Sequence, residues 1–210
     1  MSKIIKLLWA ACLPGSFILA GAGILWLYTF RVTEGGFYER LVALESTWIN
    51  SHILLLAGTI LMIPAALGIW RVVGRSKGAW LADIGLVIVM IFSFFLAGQY
   101  AIDFVMPLIA KAGGEALSVH NALFDTPITN ILFYNLPETV FLGFIALTAA
   151  LVWSGNIPRN LSIVLVVLWI AVFAGNILDQ VLVARIASLL IGFAFIPVAQ
   201  KLQKLLSEKA

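Results

Sequence analysis

The sequence predicts an all-α, polytopic membrane protein. Residues 1–210 form a single domain of six transmembrane helices, with short interfacial helices in the two long outer loops. Hydrophobic residues make up 62% of the chain and charged residues only 11%, against about a quarter charged in soluble proteins. The apolar residues are gathered in stretches that approach or exceed the roughly 20 residues a helix needs to cross a bilayer. Backbone groups inside a bilayer must be hydrogen-bonded within the chain, so helices are the expected structure.

Six apolar stretches account for most of the chain. They are Leu7–Phe30, Ile53–Val73, Ala79–Tyr100, Pro137–Trp153, Leu161–Asn176 and Leu182–Leu202. Their length and lack of alternation indicate helices, since a membrane strand has about 10 residues of alternating polarity. The first stretch is too long for the core of a secretory signal, so we expect it to be retained as a helix.

Two long connections, after the first and third spans, contain patterns typical of short helices. In the first connection apolar residues recur at helical spacing, at Phe37, Leu41, Leu44 and Trp48. This spacing predicts an amphipathic helix in the membrane interface, where Tyr38 and Trp48 fit the aromatic belt. The second connection, 101–136, is broken at Gly113 and Gly114, which predicts one or two further interfacial pieces.

The basic residues are sorted by side. The N-terminus, the second and fourth loops and the C-terminus carry Lys3, Lys6, Arg71, Arg75, Lys77, Arg159, Lys201, Lys204 and Lys209. The opposite side carries fewer basic residues and most of the acidic ones. Because lysine and arginine mark the cytoplasmic face, we expect a multi-pass protein of the plasma (inner) membrane with N- and C-termini cytoplasmic. The net charge of +3 averages these two faces and does not indicate nucleic-acid binding.

Polar residues gather at the predicted outer ends of the spans, and we expect them to form an outward-facing ligand-binding site. The candidates are Gln99, Asp103, His120, Asn135, Glu138, Asn176, Asp179 and Arg185. Arg185 lies about one turn inside the sixth span, where an unpaired charge is costly. Its expected partner is Glu138, Asp103 or Asp179. The alternatives are a structural ion pair at Arg185 and helix-start chemistry at Pro137 and Glu138.

The third and fifth spans end alike. Gln99 follows Ala-Gly and precedes Asp103, and Asn176 follows Ala-Gly and precedes Asp179. Internal repeats are frequent in transporters, which place their site between the repeats. If the two hairpins are parallel repeats, both carboxylates occupy equivalent outer positions, and chance similarity is the alternative.

No motif assigns a cofactor or a reaction. Cys12 is the only cysteine, which excludes an internal disulfide and a cysteine metal cluster. His52 and His120 lack the spacing of a haem or metal site, and the chain has no P-loop, zincin or nucleophile-elbow motif. We therefore expect no cofactor and no metal.

The first span is rich in small residues, with Gly15 followed by the run from Ala20 to Gly23. Small residues let helices approach closely. This face predicts either internal packing or docking of a membrane-protein partner.

Three functions follow from these observations. The leading one is binding or transporting a small, amphipathic ligand. The second is an accessory subunit of a larger membrane complex without chemistry of its own. The third is a membrane-embedded enzyme acting on a lipid or isoprenoid, with Asp103, Glu138 or Asp179 as general acid.

Several short segments resemble a group of small, uncharacterised six-helix bacterial membrane proteins. They are Pro64–Trp70 at the end of the second span, Asp103–Pro107 after the third, Ile157–Arg159 before the fifth and Ile191–Phe195 in the sixth. The resemblance covers the second to sixth helices. It implies the six-helix fold and implies no activity.

Overall fold

The computed structural model describes residues 3–114, 118, 121–122 and 125–208, and this part of the chain is helical without strands. The elements are α1 (Lys3–Val32), α2 (Phe37–Ala43), α3 (Glu45–Val73), α4 (Ala79–Asp103), α5 (Met106–Ala112), α6 (Pro127–Asn130), a π-helical turn (Ile131–Asn135), α7 (Thr139–Trp153), α8 (Arg159–Ile177), α9 (Val181–Ala194) and α10 (Ile196–Glu208). The predicted His120 and Lys209, with most of 115–124, lie outside the described residues.

Within the described residues, six helical stretches are long and apolar enough to cross a membrane, which confirms that part of the sequence prediction. They are Leu7–Val32, Glu45–Val73, Ala79–Ala112, Pro127–Trp153, Arg159–Ile177 and Val181–Glu208. The second begins eight residues before the predicted Ile53, because Trp48, Ser51 and His52 continue the helix with their side chains buried. Trp48 therefore packs inside the protein and does not belong to the expected aromatic belt.

The sixth stretch is interrupted at Phe195, between α9 and α10. Pro197 is the second residue of α10, where its missing N–H leaves no hydrogen bond broken. The Phe195 side chain is fully buried and stacks on Phe17 of α1, with 5.1 Å between ring centroids. Phe17 also meets Phe144 of α7 edge-on at 4.8 Å. These rings form the centre of the bundle.

Glycines bring α1 against its neighbours. A Cβ atom at Gly23 would lie 2.8 Å from the Ser51 carbonyl oxygen of α3, and one at Gly21 would lie 2.6 Å from Leu189 Cα of α9. Contacts this close require a residue without a side chain. Internal packing thus accounts for Gly21 and Gly23, while docking of a partner on the other small residues of α1 stays a prediction.

Contacts gather the charged segments at two ends of the bundle. At one end, the Arg71 guanidinium lies over the Trp9 ring at 4.1 Å, and Lys201 Nζ donates to the Asn156 carbonyl oxygen. At the other, Lys111 Nζ lies 2.6 Å from Glu45 Oε2. We call these the basic end and the acidic end.

Candidate functional site

A cavity of about 660 Å³ extends from the acidic end toward the middle of the bundle. Its walls come from α1, α7, α8 and α9, with Met62 of α3 at the inner end. Most of the lining is apolar, and Phe17 and Trp169 lie at the inner end. Volume and lining both fall within the range of small-molecule sites.

Polar groups line the outer part of the same cavity. Arg185 and Ser188 come from α9, Asn176 comes from α8, and Glu138 stands directly before α7. The structure therefore brings together Glu138, Asn176 and Arg185 from the predicted set. An apolar chamber with a few convergent polar groups suits a ligand that is itself apolar at one end and polar at the other.

The Arg185 guanidinium is half-buried and lies against α1. One nitrogen donates to the Ile24 carbonyl oxygen, and the guanidinium carbon lies 5.7 Å from the centre of the Tyr28 ring. Nε is buried without a hydrogen-bond partner among the described residues. The expected ion pair of Arg185 with Glu138, Asp103 or Asp179 is wrong, because the described part of the chain places no carboxylate within ion-pair distance of it. Arg185 instead bonds to the backbone of α1.

Close helix packing holds this wall of the cavity. A Cβ atom at Gly192 would lie 2.6 Å from Ile18 of α1, and a Cβ atom at Gly175 would lie 2.8 Å from the Ala184 nitrogen. The helices α1, α8 and α9 thus touch through backbone atoms. Arg185 follows Ala184 directly, so this contact fixes its position at the cavity.

Exposed apolar side chains of α7 and α8 line one side of the cavity. Leu142 of α7 is 55% exposed, and Phe173 and Ile177 of α8 are 40% and 81% exposed.

Asp103 lies elsewhere, in a buried pair with His52. Its Oδ2 is 3.4 Å from His52 Nε2, and His52 Nδ1 lies 2.7 Å from the Trp48 carbonyl oxygen. Trp48 Nε1 in turn donates to the Asp103 carbonyl oxygen at 2.7 Å. These contacts connect α3 and α4 near the acidic end of the bundle. Asp103 is therefore not part of the cavity with Arg185.

The remaining candidates are also separate. Asp179 is 85% exposed in its side chain and pairs with Arg31 at 3.2 Å. Asn135 donates to the Asn130 side chain at 2.8 Å. Gln99 is half-buried and does not line the cavity.

The two similar helix ends are not structurally equivalent. Asp103 is buried against His52, whereas Asp179 is exposed beside Arg31. Asn176 lines the cavity and Gln99 does not. The two carboxylates therefore do not share the equivalent positions that parallel repeats would give them, and each hairpin end has its own environment.

Sequence reasoning missed several residues of these sites. Trp169 and Ser188 line the cavity, the Tyr28 ring lies beside the Arg185 guanidinium, and His52 is the partner of Asp103. A tryptophan in the middle of the fifth span, away from any interface, was the one signal that could have indicated a chamber. In the described part of the chain no three histidine, cysteine or acidic side chains cluster as metal ligands do.

Comparison with protein-family models, with curated proteins and with solved structures finds no match for this chain. The site must therefore be interpreted from its own geometry.

Proposed function

We propose that the protein is a multi-pass membrane protein that binds, or carries, a small amphipathic ligand in the cavity between α1, α7, α8 and α9. The observation that carries the proposal is the cavity itself. It combines an apolar inner chamber with polar side chains at one end, and a charged guanidinium without a carboxylate partner lies among them. An amphipathic molecule complements both parts.

The surface of the bundle supports membrane insertion. Large apolar side chains stand exposed midway along the long helices, among them Ile60 of α3, Phe94 of α4 and Ile170 of α8, each at least 60% exposed. Contiguous apolar surface of this kind is rare on soluble monomers. In a bilayer the lipid tails cover it.

We further propose that the acidic end faces outward in the plasma (inner) membrane and that both termini are cytoplasmic. The basic end carries Arg71, Arg75, Lys77, Arg159 and the C-terminal lysines, and positive residues mark the cytoplasmic side. In this orientation α2 and α5 lie in the outer interface. Exposed Phe37 and Leu108 on these two helices suit that position.

Native mass spectrometry of the detergent-extracted protein tests the binding function. We expect a defined small-molecule mass on the monomer. Val172 lines the cavity and Val166 stands exposed on the same helix. Val172→Trp should fill the chamber and remove the extra mass, and Val166→Trp should retain it.

Two outcomes would contradict the proposal. One is a bare monomer in both the parent and the Val166→Trp protein after gentle extraction. The other is a mass that matches a second polypeptide, which would favour an accessory subunit.

A further inference from the structure

The charge in the cavity is not balanced by the protein. Arg185 has one hydrogen bond to a backbone carbonyl and one buried nitrogen without a partner among the described residues. Arg31 has Asp179 as its partner, whereas no described carboxylate pairs with Arg185. A cation in apolar surroundings is stabilised by an anion that hydrogen-bonds to it.

Glu138 does not supply that anion. Its side chain is exposed, and it stands at the start of α7, where the helix dipole favours a negative charge. Water and the helix end therefore stabilise the Glu138 carboxylate without Arg185. Glu138 lines the mouth of the cavity, where its negative charge attracts or repels the charged group of an entering ligand.

The cavity also sets the shape of the ligand. Between Arg185 and Ile191, α9 rises by about 9 Å, and between Asn176 and Trp169, α8 spans about 10 Å. The inner lining of Phe17, Met62 and Trp169 offers only apolar surface apart from one indole N–H, which donates to Thr148 at 3.2 Å. This depth fits an unbranched chain of medium length.

We propose that the ligand is a single-chain anionic amphiphile, with a carboxylate or phosphate head bound by Arg185 and its apolar chain lying toward Phe17 and Trp169. The inference rests on the proposed binding function and adds the chemical class of the ligand. Leu142 and Phe173 line the cavity and are exposed, so the proposal includes entry of such a molecule from the lipid phase between α7 and α8. Arg185 supplies the charge and the directed N–H groups that select an anionic head.

A matched series of probes tests the head group. The protein in zwitterionic lipid nanodiscs is titrated with decanoate, decyl phosphate, decanol and decylamine, with binding measured by calorimetry. We expect decanoate and decyl phosphate to bind at least tenfold more tightly than decanol, and decylamine to bind least. Acetate and inorganic phosphate distinguish a free anion from a chain-bearing one, and we expect neither to bind at the concentrations that saturate decanoate.

Substitutions in the cavity test the role of Arg185. Because hydrogen bonds to charged groups are among the strong ones, Arg185→Gln should weaken decanoate binding about tenfold to a hundredfold. Arg185→Lys keeps the charge but lacks the directed guanidinium N–H groups, so its affinity should lie between those of the parent and Arg185→Gln. Arg159 is exposed at the start of α8, remote from the cavity, so Arg159→Gln is the matched control and should bind as the parent does.

The affinity of the Glu138→Gln variant distinguishes an anionic ligand from a zwitterionic one. Removing a negative charge at the mouth should strengthen decanoate binding several-fold, whereas a ligand whose ammonium group pairs with Glu138 would bind more weakly. Arg185→Gln and Glu138→Gln thus change affinity in opposite directions. A residue that only maintains the fold would not give this pattern.

The outcomes distinguish this inference from the proposed function. If decanol or decylamine binds in the cavity as tightly as decanoate, the amphiphile-binding function stands and the anionic class is wrong. If acetate or inorganic phosphate competes as well as decanoate, the apolar chain is not recognised. If decanoate binds equally to the parent and to folded Arg185→Gln protein, Arg185 is not the head-group residue. If no amphiphile binds to the parent, both the inference and the proposed function fail.

Discussion

His52 and Asp103 show how the surroundings of one side chain define a proton position. The Trp48 carbonyl oxygen can only accept, so His52 Nδ1, at 2.7 Å from it, carries hydrogen. His52 Nε2 then faces the Asp103 carboxyl at 3.4 Å. The pair is buried, so either member alone would leave a polar group without a partner.

We therefore expect His52→Leu to destabilise the protein by about 3 kcal/mol, because it leaves the Asp103 carboxyl buried alone. Asp103→Asn should cost less than about 1 kcal/mol, since the amide N–H group can donate to His52 Nε2. SDS titration of the folded protein in mixed micelles measures both free energies of unfolding. Equal losses in the two variants would show that this contact is not a hydrogen-bonded pair.

Asp179 lies at the other hairpin end, and there we expect the backbone conformation to affect stability more than the side-chain charge. Its φ of 54° is a left-handed conformation that asparagine tolerates and β-branched residues do not. Its ion pair with Arg31 is exposed, and such pairs contribute little. Asp179→Asn should leave the thermal unfolding midpoint unchanged, whereas Asp179→Val should lower it. A large loss in Asp179→Asn would instead assign structural importance to the ion pair.

The sequence identifies unusual side chains more successfully than it identifies the contacts that those side chains make. Arg185 was predicted to be an unusual charge because it lies inside an apolar run. Its contacts with Ile24 and Tyr28 join residues more than 150 positions apart and depend on how α9 packs on α1. No local pattern encodes that distance, so the expected carboxylate partner was wrong.

At the scale of helices, length and composition predicted the six long elements, and burial determined where they end. The run of apolar residues begins at Ile53, yet α3 begins at Glu45. Ser51 and His52 are polar but buried, so they continue the helix without facing the exterior. Hydropathy cannot distinguish such residues from a solvated loop.

Gly21 allows α1 to pack directly against the backbone of α9. Gly21→Ala places a Cβ 2.6 Å from Leu189 Cα, so α1 and α9 must separate. We expect a loss of about 1–3 kcal/mol in the free energy of unfolding, as for other overpacked contacts, together with weaker ligand binding, because Gly21 lines the cavity. Gly15→Ala is the control. Its Cβ would meet only Leu61 Cδ1 at 3.5 Å, so this variant should be as stable as the parent or slightly more stable.

SDS titration and decanoate calorimetry measure the two effects on the same samples. If Gly15→Ala and Gly21→Ala lose equal stability, close approach of α1 and α9 does not explain the glycine. If Gly21→Ala loses stability but binds decanoate unchanged, the wall formed by α1 and α9 does not position the site.

In the molecule as a whole, two sets of side-chain contacts mark the two opposite ends of the helix bundle. Trp9, Arg71, Asn156 and Lys201 meet at the basic end, and Arg31, Glu45, Lys111 and Asp179 lie at the acidic end. An even number of crossings would place both termini at the basic end. The cavity extends from the acidic end, so the side from which the proposed ligand would enter depends on how the protein inserts.

Cysteine accessibility decides this orientation. Cys12 is the only cysteine, so Cys12→Ser gives a background without thiols. Glu34 is exposed at the acidic end and Lys77 at the basic end. In spheroplasts, Glu34→Cys should react with a membrane-impermeant maleimide, and Lys77→Cys should react only after permeabilisation, because positive residues stay on the cytoplasmic side. The reverse pattern would show that the cavity faces the cytoplasm, so that a ligand would enter it from inside the cell. Reaction of both cysteines in sealed spheroplasts would contradict the single crossing by α3 that separates Glu34 from Lys77.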